Sequence, residues 1–104
     1  MSKKYEISFI IPALNEEERV GGVINSIKRN MDDDFKYEII VVDNGSNDRT
    51  IDIAKESGAQ VFCKPELTIA ALRNFGAAKV SYNNIVFLDA DVYLRENWRK
   101  KIKD

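Results

Sequence analysis

The chain has 104 residues, of which 44% are hydrophobic and 32% are charged, and its formal net charge is −1. This composition is typical of one small folded domain rather than a disordered chain. Because acidic and basic residues are interspersed and nearly balanced, neither nucleic acid nor an anionic membrane is indicated as a partner. The apolar runs are much shorter than the about 20 residues of a membrane span.

Histidine is absent and Cys63 is the single cysteine. The absence of histidine excludes imidazole-based nucleophile activation and zinc sites with histidine ligands. A lone cysteine cannot form a disulfide within the chain, and we expect it to be a small buried hydrophobic residue. With no apolar signal stretch near the amino terminus, a reducing, cytoplasmic location is the simplest interpretation. In a larger enzyme, the location could also be the cytoplasmic face of a membrane.

The first strand is predicted over residues 7–11 and is expected to stop at Pro12, which has no N–H to donate to a sheet. A helix follows, and we expect it to start at Asn15, because Glu18 stands at the spacing of a capping box. Its core face is an apolar stripe at helical spacing, formed by Val20, Val23, Ile24 and Ile27.

The second strand is predicted over residues 37–42, and a helix over about residues 48–57 ends at Gly58. A short third strand covers residues 60–63. A third helix is predicted over about residues 68–80, with a core face made of Ile69, Leu72, Phe75 or Gly76, and Val80. A last amphipathic helix is predicted over residues 95–103, with Trp98 and Ile102 on one side.

The fourth strand is predicted over residues 85–88, where an unbroken apolar run is typical of a strand buried on both faces. Strands that alternate with helices predict right-handed crossovers and a parallel sheet. The fold class is therefore α/β, a Rossmann-like parallel sheet with helices on both faces and strand order 3-2-1-4. The reversal between strands 1 and 4 opens a crevice at their carboxyl ends, where ligands bind in such sheets.

Two carboxylates, Asp89 and Asp91, follow the fourth strand directly. In an extended chain, residues two apart point to the same side. Two like charges about 4 Å apart at an effective dielectric of about 20 repel by about 4 kcal/mol. A divalent cation with oxygen ligands would offset this repulsion, so the pair predicts a metal site; a solvated strand end with two turn-forming residues is the alternative.

Four segments, in this order and at these intervals, resemble the family 2 glycosyltransferases, which have the GT-A fold. They are residues 10–16 (IIPALNE), residues 40–46 (IVVDNGS) with Asp48 and Thr50, residues 73–78 (RNFGAA) and residues 86–91 (VFLDAD). Asn44 stands where the family usually has a second aspartate, and the glycine usual before the fourth strand is missing. The first departure puts a role for the Asn44 side chain in doubt.

The resemblance implies a donor site for a nucleotide-diphosphate sugar, most simply a UDP-sugar, bound through Mg²⁺ or Mn²⁺. Asp89 and Asp91 are the implied metal motif, with Asp91 the direct ligand and Asp89 nearer the ribose. Asp43 would accept a hydrogen bond from the base, although a turn or helix cap is its alternative role. Arg73 would pair with the diphosphate or with Asp89, or would be an ordinary exposed helix residue. The implied donor-binding residues are Pro12, Ala13, Leu14, Asn15, Glu16, Asp43, Asn44, Gly45, Arg73, Asn74, Asp89 and Ala90.

The resemblance also implies that residues 1–104 are the donor-binding half of a GT-A domain. The half of the family that binds a saccharide or lipid acceptor and carries the catalytic base lies downstream of the Asp-x-Asp motif and is absent here. Alternatives are a non-catalytic nucleotide-binding or assembly module and a phosphohydrolase of the haloacid dehalogenase type. Because the fourth strand would be an open edge with an apolar face, we also expect a homodimer through that edge.

Overall fold

A computed structural model describes residues 5–95 of the chain. Strands and helices alternate along it, as the sequence predicts, and the predicted helix over residues 95–103 lies outside the described residues apart from Arg95. None of the described helices is long and apolar enough to cross a membrane. The elements are β1 (Tyr5–Ala13), α1 (Val20–Asn30), β2 (Phe35–Asp43), α2 (Thr50–Glu56), β3 (Gln60–Cys63), α3 (Ile69–Ala77) and β4 (Asn84–Phe87).

The strands form one parallel sheet in the order β3-β2-β1-β4, which confirms the predicted topology. β1 lies between β2 and β4, and it pairs with β2 along its whole length, up to Ala13 opposite Asp43. Its pairing with β4 is shorter and ends at Ile10 opposite Phe87. The carboxyl ends of β1, β2 and β4 therefore lie side by side at one edge of the sheet.

Alternation of side chains along β1 and β2 gives the sheet two apolar faces. One face packs against α1 and α2, with Val20, Val23, Ile24 and Ile27 all fully buried, which confirms the predicted stripe. The other face packs against Leu72 of α3. α1 and α2 share a face because β1, β2 and β3 follow each other in one direction. The chain then reverses to reach β4, and this reversal carries α3 to the opposite face.

Pro12 does not end β1, contrary to the prediction, and the strand continues to Ala13. The carbonyl of Ile10 accepts a hydrogen bond from Leu88 on the β4 side, and the carbonyl of Ala13 accepts one from Asn44 on the β2 side. Since backbone groups alternate between the two sides of a strand, Pro12 faces β4, whose pairing has already ended. Its missing N–H therefore breaks no bond of the sheet.

The predicted start of the first helix at Asn15 is wrong. α1 begins at Val20 after Arg19, which makes no side-chain cap, and Asn15 has a φ of 52° in the left-handed region. The carbonyl of Glu16 accepts hydrogen bonds from the N–H groups of Arg19 and Val20, so a separate turn precedes the helix. The second helix does end as predicted, with Gly58 at a φ of 99° directly after the cap residue.

Three burial predictions are also wrong. Ile69, expected in the core, is 67% exposed, because it opens the first turn of α3 beyond the end of the sheet. β4 is not buried on both faces, since Ile85 and Phe87 are 36% and 46% exposed. No helix among the described residues covers Ile85 and Phe87. Val86 and Leu88, on the opposite face of the sheet, do pack against the core beside α1. Cys63, at the end of edge strand β3, is exposed.

Candidate functional site

A cleft of about 340 Å³ lies at the carboxyl ends of β1, β2 and β4, where the predicted crevice was expected. Its walls come from the loop after β1, the first residue after β2, the first turns of α3 and the turn after β4. Lining the cleft are Pro12, Ala13, Leu14, Glu16, Asn44, Ile69, Leu72, Arg73, Asp89, Ala90 and Asp91. Nine of these eleven are residues that the sequence assigned to the donor or metal site.

The turn after β4 presents Asp89 and Asp91 to solvent on either side of Ala90, which is buried at 5% exposure. The strand has already ended at Phe87, and the Asp89 carbonyl accepts a hydrogen bond from the Val92 N–H. The two aspartates therefore stand on a tight turn rather than on the extended chain that the sequence spacing suggested. The buried alanine anchors this turn to the core beneath it.

Arg73 reaches from α3 to this turn, and its Nη2 lies 3.6 Å from Oδ1 of Asp89. Both side chains are about half exposed or more, at 48% and 65%, so the pair contributes little to stability. It does place one guanidinium beside the two carboxylates in the cleft. A guanidinium in this position can pair with phosphate oxygens, which it matches in geometry.

The donor set of the cleft fits a magnesium or manganese ion. Asp89 and Asp91 offer hard carboxylate oxygens, and such ions are commonly held by one or two carboxylates together with water and substrate phosphates. No cluster of three or more acidic, cysteine or histidine residues suited to a metal occurs among residues 5–95. Two carboxylates leave the remaining coordination positions of such an ion to water or to a ligand.

Asp43 lies beside the cleft but does not line it, because its side chain is buried within the turn after β2. Its Oδ2 accepts hydrogen bonds from the N–H groups of Gly45 and Ser46 at 2.9 and 2.7 Å, and its Oδ1 accepts one from the Ser46 hydroxyl at 2.6 Å. The turn-forming role, which the sequence left open as an alternative, is therefore present. Contact of Asp43 with a base remains a prediction.

Of these two neighbouring residues, it is Asn44 and not Asp43 that lines the cleft. Its side-chain amide donates hydrogen bonds to the carbonyls of Lys64 and Leu67, at 3.1 and 2.9 Å. An aspartate could not donate these bonds, so the departure from the family pattern has a structural consequence here. The Asn44 side chain ties the loop before α3 to the edge of β2.

Hydrogen bonds join the loops after β1 and β2 to each other. The side-chain oxygen Oδ1 of Asn15 accepts from the Asn47 N–H at 2.8 Å, and the Thr50 hydroxyl accepts from the Glu16 N–H at 2.8 Å. Two more bonds link Glu17 with the N–H of Arg49 and with the Asp48 carboxylate. The N–H groups before α1 are thus capped by the second loop, which explains why the local capping prediction failed.

The pKa of the Asp48 carboxyl lies below its ordinary value. Partial desolvation alone would raise this pKa, but the carboxylate also accepts hydrogen bonds from the hydroxyl and N–H of Thr50 and from the N–H of Glu17. These bonds favour the ionised form and together outweigh the desolvation. The Asp48 carboxylate therefore helps to join the loops after β1 and β2, and it does not line the main cleft.

Four of the predicted donor residues do not line the cleft. Asn15 lines a smaller acidic cleft with residues 16–19 and Asp48. Asp43 is buried as described, and Gly45 and Asn74 are outside the lining. The sequence missed Ile69 and Leu72 as lining residues because their apolar spacing indicated only a core face. The one sequence signal that could have identified them is their place in the first turn of the helix that also carries Arg73.

The family model described as Glycosyl transferase family 2 matches residues 8–103. An uncharacterised glycosyltransferase of Rickettsia typhi is 37% identical over 98 residues, which covers 94% of this chain and 32% of the relative. Glucosyl-3-phosphoglycerate synthase of Petrotoga mobilis is 34% identical, covering 84% of this chain and 27% of the relative. The chain thus spans about a quarter to a third of the length of these curated relatives.

Two solved structures show the same fold. The structure of Staphylococcus aureus TarS residues 1–349 superposes with a TM-score of 0.80 at 23% identity, covering 94% of this chain and 31% of that one. Mycobacterium tuberculosis glucosyl-3-phosphoglycerate synthase, in complex with Mn²⁺, UDP and glucosyl-3-phosphoglycerate, superposes with a TM-score of 0.67 at 34% identity, covering 90% and 37%. The latter structure contains a nucleoside diphosphate and a divalent metal ion.

Proposed function

This chain belongs to glycosyl transferase family 2, and from that premise we propose that its cleft binds a nucleotide-diphosphate sugar for transfer to an acceptor. The observation that carries the proposal is the meeting, in one cleft, of Asp89, Asp91 and Arg73. Two carboxylates suit a divalent ion and a guanidinium suits a diphosphate, so the cleft has the charges that such a donor requires. The relatives of known structure with UDP and Mn²⁺ support this assignment.

In the proposed complex, Asp89 and Asp91 hold Mg²⁺ or Mn²⁺, with Asp91 the direct ligand and Asp89 nearer the ribose. A bound ion of this kind neutralises the charge that develops on a departing nucleoside diphosphate. Arg73 binds phosphate oxygens, and its guanidinium lies 3.6 Å from Asp89. Residues 12–14, Glu16 and Asn44 form the opposite wall, where we place the nucleoside; uracil is the base we expect.

The chain is proposed to form the donor-binding half of a larger catalytic unit, because its relatives are about three times as long. The rest of that unit would then bind the acceptor, a saccharide or lipid in our proposal, and carry the catalytic base. Sugar transfer itself is therefore proposed for the whole enzyme, and donor binding for this chain. A cytoplasmic location remains the prediction from the sequence.

Thermal unfolding with ligands tests the proposal. With UDP and Mn²⁺ at about 100 times the dissociation constant, the folded chain should gain about 2.7 kcal/mol of stability. Chelation of the metal should remove most of this gain, and so should the substitutions Asp89→Asn and Asp91→Asn. Asp52→Asn, an exposed aspartate of α2, is the matched control and should change nothing.

No stabilisation by UDP, ADP or GDP with either metal would contradict the proposal. Binding of a nucleoside diphosphate in this chain, with no sugar transfer by any longer form that contains it, would instead favour the alternative of a non-catalytic nucleotide-binding module. The phosphohydrolase alternative from the sequence is set aside, because the family match covers residues 8–103.

A further inference from the structure

The segment that follows Asp91 lies along α1 and is held there by side chains of that helix. Leu94 is buried at 8% exposure, and its N–H donates a hydrogen bond to the Ser26 hydroxyl at 2.9 Å. The Leu94 carbonyl accepts a hydrogen bond from the Asn30 amide at 3.2 Å. Both backbone groups of Leu94 are therefore bound by α1, as the neighbouring strand of a sheet would bind them.

Ser26 and Asn30 are themselves fixed within the helix. Ser26 is fully buried and donates its hydroxyl hydrogen to the Val23 carbonyl at 2.6 Å. Asn30 is 5% exposed and donates a second bond to the Ser26 carbonyl at 2.8 Å. Each of these two side chains therefore has one partner on the helix and one on Leu94, and together they hold the Leu94 segment in one position. An apolar contact alone would let the segment shift along the helix.

Gly22 belongs to the same face of α1, since residues 22, 26 and 30 are each one helical turn apart. A Cβ added at Gly22 would lie 2.5 Å from the hydroxyl of Tyr93, so only glycine lets Tyr93 lie this close to the helix. Gly22, Ser26 and Asn30 thus contact the two residues that directly precede Arg95. We call these three helix residues the α1 cradle.

We propose that the α1 cradle positions Asp91, and that Ser26 and Asn30 are positioning residues for the metal site. Asp91 stands between two buried anchors, Ala90 on one side and Leu94 on the other. Ala90 is held by apolar contacts, which allow the chain to shift along its length. Leu94 is held by hydrogen bonds, which do not allow that shift. The inference rests on the proposed function, because it assigns the cradle to the metal that the donor site requires.

The inference is tested by measuring the affinity for Mn²⁺ in the presence of UDP. Electron paramagnetic resonance detects the free ion and so gives the bound fraction. In Ser26→Ala and Asn30→Leu, the Mn²⁺ affinity should fall about 10-fold, as is usual when a group that orients a metal ligand is removed. Binding of UDP without metal should be unchanged. A purely structural role would lower the melting temperature and leave the Mn²⁺ affinity as it was.

Ser8→Ala is the matched control. Ser8 is also fully buried, donates its hydroxyl hydrogen to Glu38 at 2.6 Å and accepts a bond from the Tyr82 N–H at 3.3 Å. It lies towards the amino-terminal end of β1, away from the carboxyl end of the strand, where the cleft is. The substitution should lower the melting temperature much as Ser26→Ala does, without changing Mn²⁺ affinity.

Gly22→Ala keeps the test valid if the other variants do not fold. Alanine favours a helix over glycine, but its Cβ would lie 2.5 Å from the hydroxyl and 2.8 Å from Cζ of Tyr93, so the Tyr93 ring must shift. Because Tyr93 is exposed, we expect the protein to fold, with the segment that carries Asp91 displaced and Mn²⁺ binding weakened. Gly21→Ala is its control, because a Cβ at Gly21 meets Ile53 of α2, at 3.1 Å, and not the Asp91 segment.

The outcomes separate the two proposals. If the original chain binds UDP with Mn²⁺ and the cradle variants bind Mn²⁺ equally well, the inference is overturned and the proposed function stands. If the original chain binds no nucleoside diphosphate with metal, the proposed function fails and the inference fails with it. A loss of Mn²⁺ affinity in Ser8→Ala or Gly21→Ala equal to that of the cradle variants would also overturn the inference.

Discussion

Arg73 and Asp89 face each other across the cleft, with 3.6 Å between a guanidinium nitrogen and a carboxylate oxygen. The two residues come from α3 and from the turn after β4, on elements that the chain reversal between β3 and β4 brings together. The contact is exposed, so its value to folding is small. Because both residues line the cleft, we predict that the contact serves ligand binding instead.

Arg73→Gln should therefore separate stability from binding. The free energy of unfolding should change by less than about 0.5 kcal/mol, because exposed ion pairs contribute little. The affinity for UDP with Mn²⁺ should fall about 10-fold, since a hydrogen bond between charged groups is worth about 1.5 kcal/mol or more. Urea unfolding and isothermal titration calorimetry measure the two effects.

Arg49→Gln is the control for that prediction. Arg49, the residue before α2, makes a similarly exposed ion pair with Glu56 of that helix, at 3.3 Å and outside the cleft. The substitution should alter neither quantity. Equal losses of UDP affinity in both variants would mean that overall charge, and not the position of Arg73, accounts for the effect.

Asp43→Asn should destabilise the fold by about 1.5–3 kcal/mol, the range for hydrogen bonds to charged groups. The Asp43 carboxylate is fully buried and accepts two N–H groups and one hydroxyl of the same turn. An amide presents only one oxygen, so part of this set loses its acceptor. Urea unfolding measures the change, and a loss no greater than that of the exposed Asp52→Asn would contradict the prediction.

Acidification should weaken the junction of the two loops through Asp48. The pKa of Asp48 is lowered in the folded state, so its contribution is fully present at neutral pH, well above the ordinary aspartate pKa. That contribution begins to decline as the pH falls below the unfolded-state pKa, and it is lost once the pH is below the folded-state pKa. In Asp48→Asn this dependence should be missing.

The Asp48 prediction is checked by the melting temperatures of both proteins between neutral pH and about pH 3, which spans the ordinary aspartate range. The original chain should be the more stable at neutral pH, and the difference should narrow as the pH falls. A difference that stays constant over the whole range would show that the side-chain shape, and not the ionised carboxylate, stabilises the junction.

Phe87→Lys should reduce self-association, if the homodimer expected from the sequence forms through β4. β4 is an edge strand of the described sheet, and Phe87 and Ile85 leave an apolar surface beside it. A charged side chain on such an edge opposes pairing with a second chain. Size-exclusion chromatography with light scattering gives the mass of the protein in solution. If the unsubstituted chain is a monomer at all concentrations, the prediction is contradicted.

Val92→Lys is the control for Phe87→Lys. Val92 is similarly exposed, at 44%, but it follows the Asp89 turn and is not part of the sheet. It should leave the measured mass unchanged. If both variants reduce association equally, added charge alone explains the result.

The sequence by itself determined the order of the strands and the place of the cleft. Apolar periods of two and of about 3.6 residues identify strands and helices locally, and parallel strands must then meet at their carboxyl ends. Gln60–Cys63 was found with its observed limits, and Asp89 and Asp91 were placed at the cleft because they follow a strand of the sheet. These features depend on the local pattern of the chain, whereas Arg73 was assigned to the cleft through the resemblance to the family.

Only the tertiary structure decided how each loop is held. Asn15 fits a local cap in the sequence, but the loop after β2 supplies the caps, because Thr50 and Asp48 lie beside Glu16 and Glu17 in space. The Leu94 N–H donates to the Ser26 hydroxyl and the Asn30 amide donates to the Leu94 carbonyl, so these bonds also join residues far apart in the chain. The exposure of Phe87 likewise depends on which elements cover β4. A hydrogen bond across more than 60 positions leaves no period in the sequence, so packing alone determines it.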